Sequence, residues 1–181
     1  MKPVFVLTLI CVIAAALLAG ANHITKDPII EAKNRLKMEA LGEIFPFEIK
    51  NVKIIKDGNT IYYEIPSANN KLRGVGIETF TDKGYGGRID VLLGVSPAGE
   101  IYNYKVIFSK ETPGLGSKLS DPEFRRQFGG KSLTDGFNWK VKKDGGDVDE
   151  ITAATISSRA IVDALTKGLN LFSEKYLKGH K

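Results

Sequence analysis

Residues 149–158 read DEITAATISS. Four hydroxyls, Thr152, Thr155, Ser157 and Ser158, crowd a short segment that leads into an amphipathic stretch. Two chemistries fit. Ser and Thr cap helices by accepting the unpaired N–H groups of the first turn. The same N–H groups and the positive end of the helix dipole also hold phosphate. With Thr155 one or two residues before the helix, its hydroxyl stands where such an anion would sit, and Ala153 and Ala154 keep the approach open. Asp149 lies a few residues upstream as a recognition handle.

Two further stretches have the composition of site loops. Glu111-Thr112-Pro113-Gly114-Leu115-Gly116 is rich in Pro and Gly and holds one apolar residue outward. It reads either as a loop lining a site or as a structural turn. Gly84-Tyr85-Gly86-Gly87 permits close backbone approach, or is simply a turn before a strand. The side chains of acid–base and metal chemistry are scarce. Cys11 is the one cysteine, and His23 and His180 are the two histidines. An intrachain disulfide, a cysteine-held iron–sulfur cluster, a zinc site and a Ser-His-Asp or Cys-His set are all excluded within the chain. Any redox or group-transfer chemistry must use a borrowed reactive group, so the expectation is no catalytic residue and no metal.

The elements that position these stretches follow from periodicity. Strands are expected at Val52–Lys56 and Thr60–Ile65, flanking Asp57-Gly58-Asn59, then at Gly74–Phe80. Two more are expected at Arg88–Val95 and Glu100–Phe108, flanking Ser96-Pro97-Ala98-Gly99. A further strand is expected at Asn138–Lys142, closed by Asp144-Gly145-Gly146-Asp147. Ser120-Asp121-Pro122 opens a short helix over Glu123–Phe128. The last helix starts near Ser157, with Ala160, Ile161, Ala164, Leu165, Leu169, Phe172 and Tyr176 on one stripe. The class is α+β, a mostly antiparallel sheet with helices packed to one side, preceded by one N-terminal transmembrane helix.

The chain has 181 residues, is 43% hydrophobic and 26% charged, and carries 26 basic against 21 acidic residues, a net +5. A packed core is within reach and wholesale disorder is excluded. No basic block alternates with aromatics as a nucleic-acid groove requires, so nucleic acid is not an expected partner. Residues 3–21 carry no charge between Lys2 and Lys26. As a helix, the run approaches the hydrocarbon thickness of a bilayer. It reads as an uncleaved anchor, although Ala19-Gly20-Ala21 also fits a signal-peptidase site. Lys2 on the short side places the N-terminus in the cytoplasm and the rest outside. Asp27-Pro28 reads as an N-cap with Pro at the first helical position, opening a connecting helix that Gly42 stops. The expected organisation is an anchor at 1–26, a connecting helix at 27–45 and an extracytoplasmic domain at 46–181.

Asp149-Glu150-Ile151-Thr152-Ala153-Ala154-Thr155 resembles the flavinylation signature Asp-x-x-(Ser/Thr)-Gly-Ala-Thr, and ETPGLG resembles the companion motif of the same FMN-binding domain. With GYGG before a strand and one N-terminal anchor, nearly the whole chain resembles the G-subunit family of the Rnf ion-translocating electron-transport complex. The resemblance implies one FMN per chain, moved from FAD by a flavin transferase and held through a Thr155 phosphoester. Asp149, Thr152, Ala153, Ala154 and Ser157 would belong to the signature, and Glu111, Thr112, Gly114 and Leu115 to the companion loop, with Leu115 near the flavin. It implies a single-pass protein of the cell's inner membrane, carrying electrons among neighbouring subunits of a Na⁺- or H⁺-pumping ferredoxin/NAD oxidoreductase. The C-type subunits of Na⁺-translocating NADH:quinone reductases resemble the same domain. A secreted binding module without redox work is the rival of another class. One departure stands out: Ala153 occupies the position where the signature has Gly, which matters if that position needs a positive φ.

Overall fold

The computed structural model describes residues 2–67, 69 and 71–178; His180 lies outside them. The chain divides into two compact units, 1–38 and 39–181.

Helix α1 spans Lys2–Ile44 without interruption, with Pro28 inside it. The expected helix start at Asp27-Pro28 is therefore not a start. A proline costs one backbone hydrogen bond and crowds the preceding turn, but the Ala, Glu, Lys, Leu and Met residues that follow are strong helix formers. Just before the proline, Thr25 turns its hydroxyl back onto the Ala21 carbonyl at 2.8 Å and stays in the helical ladder. Gly42 does not stop the helix either, because Leu41 and Ile44 on either side of it are buried at 1% exposure. In the first unit α1 is long and apolar enough to cross a membrane.

The second unit is built on five antiparallel strands in the order β1-β2-β3-β4-β5: Lys53–Asp57, Thr60–Pro66, Leu72–Gly84, Gly87–Val95 and Ile101–Phe108. Each strand joins its sequence neighbour. The β1–β2 and β4–β5 hairpins are those expected from their short polar turns, and the pairings of β3 on both sides are added by the structure. Period-2 alternation gives the sheet two apolar faces. Val75, Ile77, Val91 and Leu93 face α3 (Thr155–Phe172), whose Ala160, Ile161, Leu165 and Leu169 complete that core. Short α2 (Pro122–Arg125) and its following 3₁₀ turn bring Phe124 and Phe128 to the same side. On the other face, Tyr63, Ile65 and Leu92 receive Ala40, Leu41 and Ile44 from the last turn of α1, and Phe45. The expected α+β sheet therefore forms, with its apolar stripe helix on one face. Thr79 pins that helix directly, its Oγ1 donating to the Ala164 carbonyl at 2.9 Å.

One local expectation is refined and one fails. The helix expected over 123–128 is α-helical only at Pro122–Arg125 and tightens to a 3₁₀ turn at Arg126–Phe128. Asn138–Lys142 is not a strand. Its backbone groups are satisfied within its own loop: the Asn138 N–H donates to Asp147 Oδ2 at 2.8 Å and the Lys142 N–H to the Val148 carbonyl at 2.8 Å. One parallel bridge, Val141 to Val148, is all the pairing it makes among the described residues. Its apolar residue Trp139 stacks on Phe128 instead of joining a sheet face.

Candidate functional site

The three stretches singled out by their chemistry converge. The β3–β4 hairpin turns at Tyr85-Gly86, the loop after β5 runs through Glu111 to Gly116, and α3 begins at Thr155. Between them lies a cavity of about 540 Å³ lined by Tyr85, Glu111, Thr112, Leu115, Gly116 and residues 153–157. A cavity of this size is in the range that holds a cofactor-sized ligand.

Helix α3 starts two residues earlier than the periodicity suggests. Ala154 is its N-cap residue, and no side chain caps it. The capping explanation for the hydroxyls therefore does not apply at this position, and the first-turn N–H groups have no side-chain acceptor at the cap. The four hydroxyls have separate fates. Thr152 lies exposed on the turn before the helix. Ser157 is 2% exposed and donates to Glu111 Oε2 at 2.5 Å. Ser158, fully buried, accepts from the Ile151 N–H at 3.0 Å and donates to the Ala154 carbonyl at 3.0 Å. Thr155 is half-buried and lines the cavity, and its hydroxyl makes no hydrogen bond among the described residues.

The turn before Thr155 requires an unusual backbone. Ala153 has φ 62°, making it the one non-glycine residue with positive φ among the described residues. The signature position therefore does adopt the left-handed conformation that glycine enters freely and alanine enters at a cost. The turn closes with the Ala154 N–H on the Ile151 carbonyl at 2.9 Å.

The loop after β5 is a pair of nested turns. The Leu115 and Ser117 N–H groups both donate to the Thr112 carbonyl at 3.2 Å, and the Gly114 N–H donates to Ser117 Oγ at 2.8 Å. Gly114 has φ 76°, which suits glycine. The result holds Leu115 at the cavity rim, 39% exposed, alongside Tyr85 at 72% and Ile156 at 47%.

Of the residues expected at a site, Glu111, Thr112, Leu115, Ala153, Ala154, Thr155 and Ser157 line the cavity. Gly114 does not, and serves the turn. Thr152 also lies off the lining. Asp149 points elsewhere: its carboxylate pairs with Lys142 at 2.7 Å. Its backbone is held by one side chain, the Gln127 amide, which accepts from the Asp149 N–H at 2.8 Å and donates to its carbonyl at 3.3 Å. Sequence reasoning did not name Tyr85, Gly116 or Ile156 as lining residues. Tyr85 and Gly116 were within reach, inside GYGG and ETPGLG, and an apolar Ile156 beside Thr155 was a weaker signal. Gln127 carried none, since it acts across 22 residues.

A family model described as FMN-binding domain matches residues 84–170, a span that begins at the β3–β4 turn and ends within α3. Chains named as G subunits of ion-translocating oxidoreductase complexes are similar over nearly the full length. The relative from Shewanella baltica is 32% identical over 93% of this chain and 87% of its own. That from Cereibacter sphaeroides is 32% identical over 92% and 81%. Among solved structures, the C-type polypeptide of the Na⁺-translocating NADH-quinone reductase from Parabacteroides distasonis superposes with a TM-score of 0.61 at 18% identity, over 84% of this chain and 97% of that one. NqrC from Shewanella oneidensis superposes with a TM-score of 0.54 at 20% identity, over 74% and 75%. These two structures share the fold. The sequence relatives go further: the chain belongs to the family of G subunits of ion-translocating oxidoreductase complexes.

Proposed function

We propose that the chain is a membrane-anchored flavoprotein that carries electrons between neighbouring subunits of an ion-translocating oxidoreductase, with one FMN esterified to Thr155. The observation that carries this reading is the separation of the hydroxyls. Ser157 and Ser158 are buried and engaged, Thr152 is off the cavity, and Thr155 alone of the four combines a place on the cavity wall with an unengaged hydroxyl.

The cavity suits FMN by its chemistry. The uncapped first turn of α3 presents N–H groups and a positive dipole end to a phosphate. Tyr85, Leu115 and Ile156 offer an apolar, partly open rim to a flat ring. In maturation, a flavin transferase joins Thr155 Oγ1 to the FMN phosphate of FAD. The new bond is the phosphoester, the broken bond is the pyrophosphate of FAD, AMP leaves, and the hydroxyl proton passes to solvent. FMN then supplies one- and two-electron transfer, and the protein positions it. Thr155 is an attachment point and takes no part in turnover. Asp149 and Thr152, on the outside of the turn, are read by the transferase instead of touching the flavin. A covalent link prevents loss of cofactor outside the cytoplasm. The domain arrangement that fits is an anchor at 1–26, a connecting segment at 27–45 and the flavin domain at 46–181. The anchor crosses the inner membrane once, with the N-terminus cytoplasmic.

The test is to express the full chain with a flavin transferase in a host that can pump ions through the complex, isolate membranes, and read in-gel flavin fluorescence after denaturation. The reading predicts a fluorescent band at the mass of this chain, bleached by dithionite and shielded from cytoplasm-side protease. A chain without fluorescence beside an active transferase would contradict it.

A further inference from the structure

We infer that Glu111 is a positioning residue that fastens the three walls of the cavity together and does not itself bind the flavin phosphate. The inference rests on the flavin reading above for its consequence, but its geometry stands alone. Glu111 is 8% exposed, and no hydrogen-bonded cation neutralises it among the described residues. Its two oxygens are engaged separately. Oε1 accepts from the Gly86 N–H at 3.0 Å, at the tip of the β3–β4 hairpin, and Oε2 accepts from Ser157 Oγ at 2.5 Å, in the first turn of α3. Glu111 itself belongs to the loop after β5. One carboxylate thus joins segments 25 and 46 residues away in sequence.

Three glycines keep the space around this contact clear. A Cβ on Gly116 would collide with Glu111 Oε2 and with Ser157 Oγ, and a Cβ on Gly84 would meet Glu111 Oε1. A Cβ on Gly86 would strike the carbonyl of Lys110, the residue before Glu111. The backbone has been pared away so that the carboxylate can reach both partners. A buried carboxylate is costly unless it is hydrogen-bonded, and each oxygen here accepts one hydrogen bond from the protein. The flavin phosphate is itself an anionic acceptor, so the carboxylate repels it and can donate it no hydrogen bond. It would settle instead at the uncapped amides beside Thr155. Engagement by Glu111 also keeps Ser157 facing inward, which leaves Thr155 as the hydroxyl presented to the cavity.

Positioning and charge make opposite predictions for Glu111→Gln. A glutamine oxygen still accepts from the Gly86 N–H, and its amide can donate to Ser157 Oγ, so the clamp survives without the charge. Glu111→Ala loses both arms. On the full chain in detergent, two readouts are taken: amide hydrogen exchange at Gly86 without flavin, and the initial rate of covalent flavin loading by the transferase. The clamp predicts that Glu111→Ala loses Gly86 protection and loads about tenfold or more slowly, as befits the loss of hydrogen bonds to a charged group. Glu111→Gln should stay close to wild type in both. Equal failure of Glu111→Gln and Glu111→Ala would overturn positioning in favour of charge. A Glu111→Ala chain with unchanged Gly86 exchange would also overturn it. If Glu111→Ala does not fold, Ser157→Ala removes one arm only. The clamp then predicts slower loading at Thr155 with Gly86 protection retained, and unchanged loading would overturn it. A wild type that accepts no flavin would defeat the functional reading, while the Gly86 exchange contrast would still decide the clamp.

Discussion

Ser158 ties Ile151 to the start of α3: its hydroxyl takes the Ile151 N–H at 3.0 Å and returns its own proton to the Ala154 carbonyl at 3.0 Å. The loop that presents Thr155 is therefore closed at its base by a fully buried side chain. Ser158→Ala leaves the Ile151 N–H without its acceptor. The Ile151 N–H is only part-buried, so the expected cost is about 0.5–1.5 kcal/mol of stability, the net worth of one ordinary hydrogen bond. Thermal unfolding of the full chain, with and without the substitution, measures it.

Ala153 makes a prediction of the opposite sign. At φ 62° an alanine is held in the left-handed region. Relief of roughly 1–2 kcal/mol is offset by the greater freedom that glycine gives the unfolded chain, about 0.4–1 kcal/mol. Ala153→Gly should thus raise stability by roughly 0–1.6 kcal/mol, centred on about 0.8 kcal/mol. It should also load flavin at least as fast as wild type. Ala153→Val should lose both stability and loading, because a β-branched side chain tolerates this backbone poorly. Denaturant midpoints and loading rates check the order Gly, Ala, Val.

Local pattern alone made much of this fold legible in the sequence. The five strands, the β1–β2 and β4–β5 hairpins and the stripe of α3 were readable because period-2 and period-3.6 patterns are local and those turns carry Gly, Pro, Asn and Asp. The gathering of ETPGLG and DEITAATISS could be anticipated only by resemblance, since the Glu111–Ser157 contact spans 46 residues. Ser158 looked like one more helix-start hydroxyl, and nothing local distinguishes it from Ser157. Asn138–Lys142 alternates like a strand, but Trp139 packs on an aromatic cluster with Phe128 and Phe137 and the backbone bonds within its loop. Asp27-Pro28 has every mark of a helix start. It fails because the segment before it is already helical, a fact set by the apolar run and not by the pair itself.

Asp163 makes stability depend on acid. It joins α3 to β3 through Thr81 Oγ1 at 2.7 Å and Lys83 Nζ at 2.5 Å, and it pairs with Lys167 at 2.7 Å. Burial alone would push its carboxyl up. The hydrogen bonds from Lys167, Lys83 and Thr81 outweigh burial and bring it from 3.8 down to about 2. A carboxyl lowered by folding favours the folded state above its unfolded value, and that advantage fades as pH falls from about 4 toward 2. Unfolding followed from pH 5 to pH 2 should therefore show a loss of stability in that window that is smaller in Asp163→Asn than in the wild type. Asp163→Asn should also be less stable than wild type at pH 7.

The central claim is that Thr155 carries one FMN. Intact mass spectrometry of the full chain, produced with an active flavin transferase alongside Thr155→Ala and Thr152→Ala, tests it most directly. The account predicts a gain of one FMN on the wild type, none on Thr155→Ala, and a modified site in any loaded Thr152→Ala that still maps to Thr155. A wild type of unmodified mass, or a Thr155→Ala chain that keeps the flavin, would contradict it.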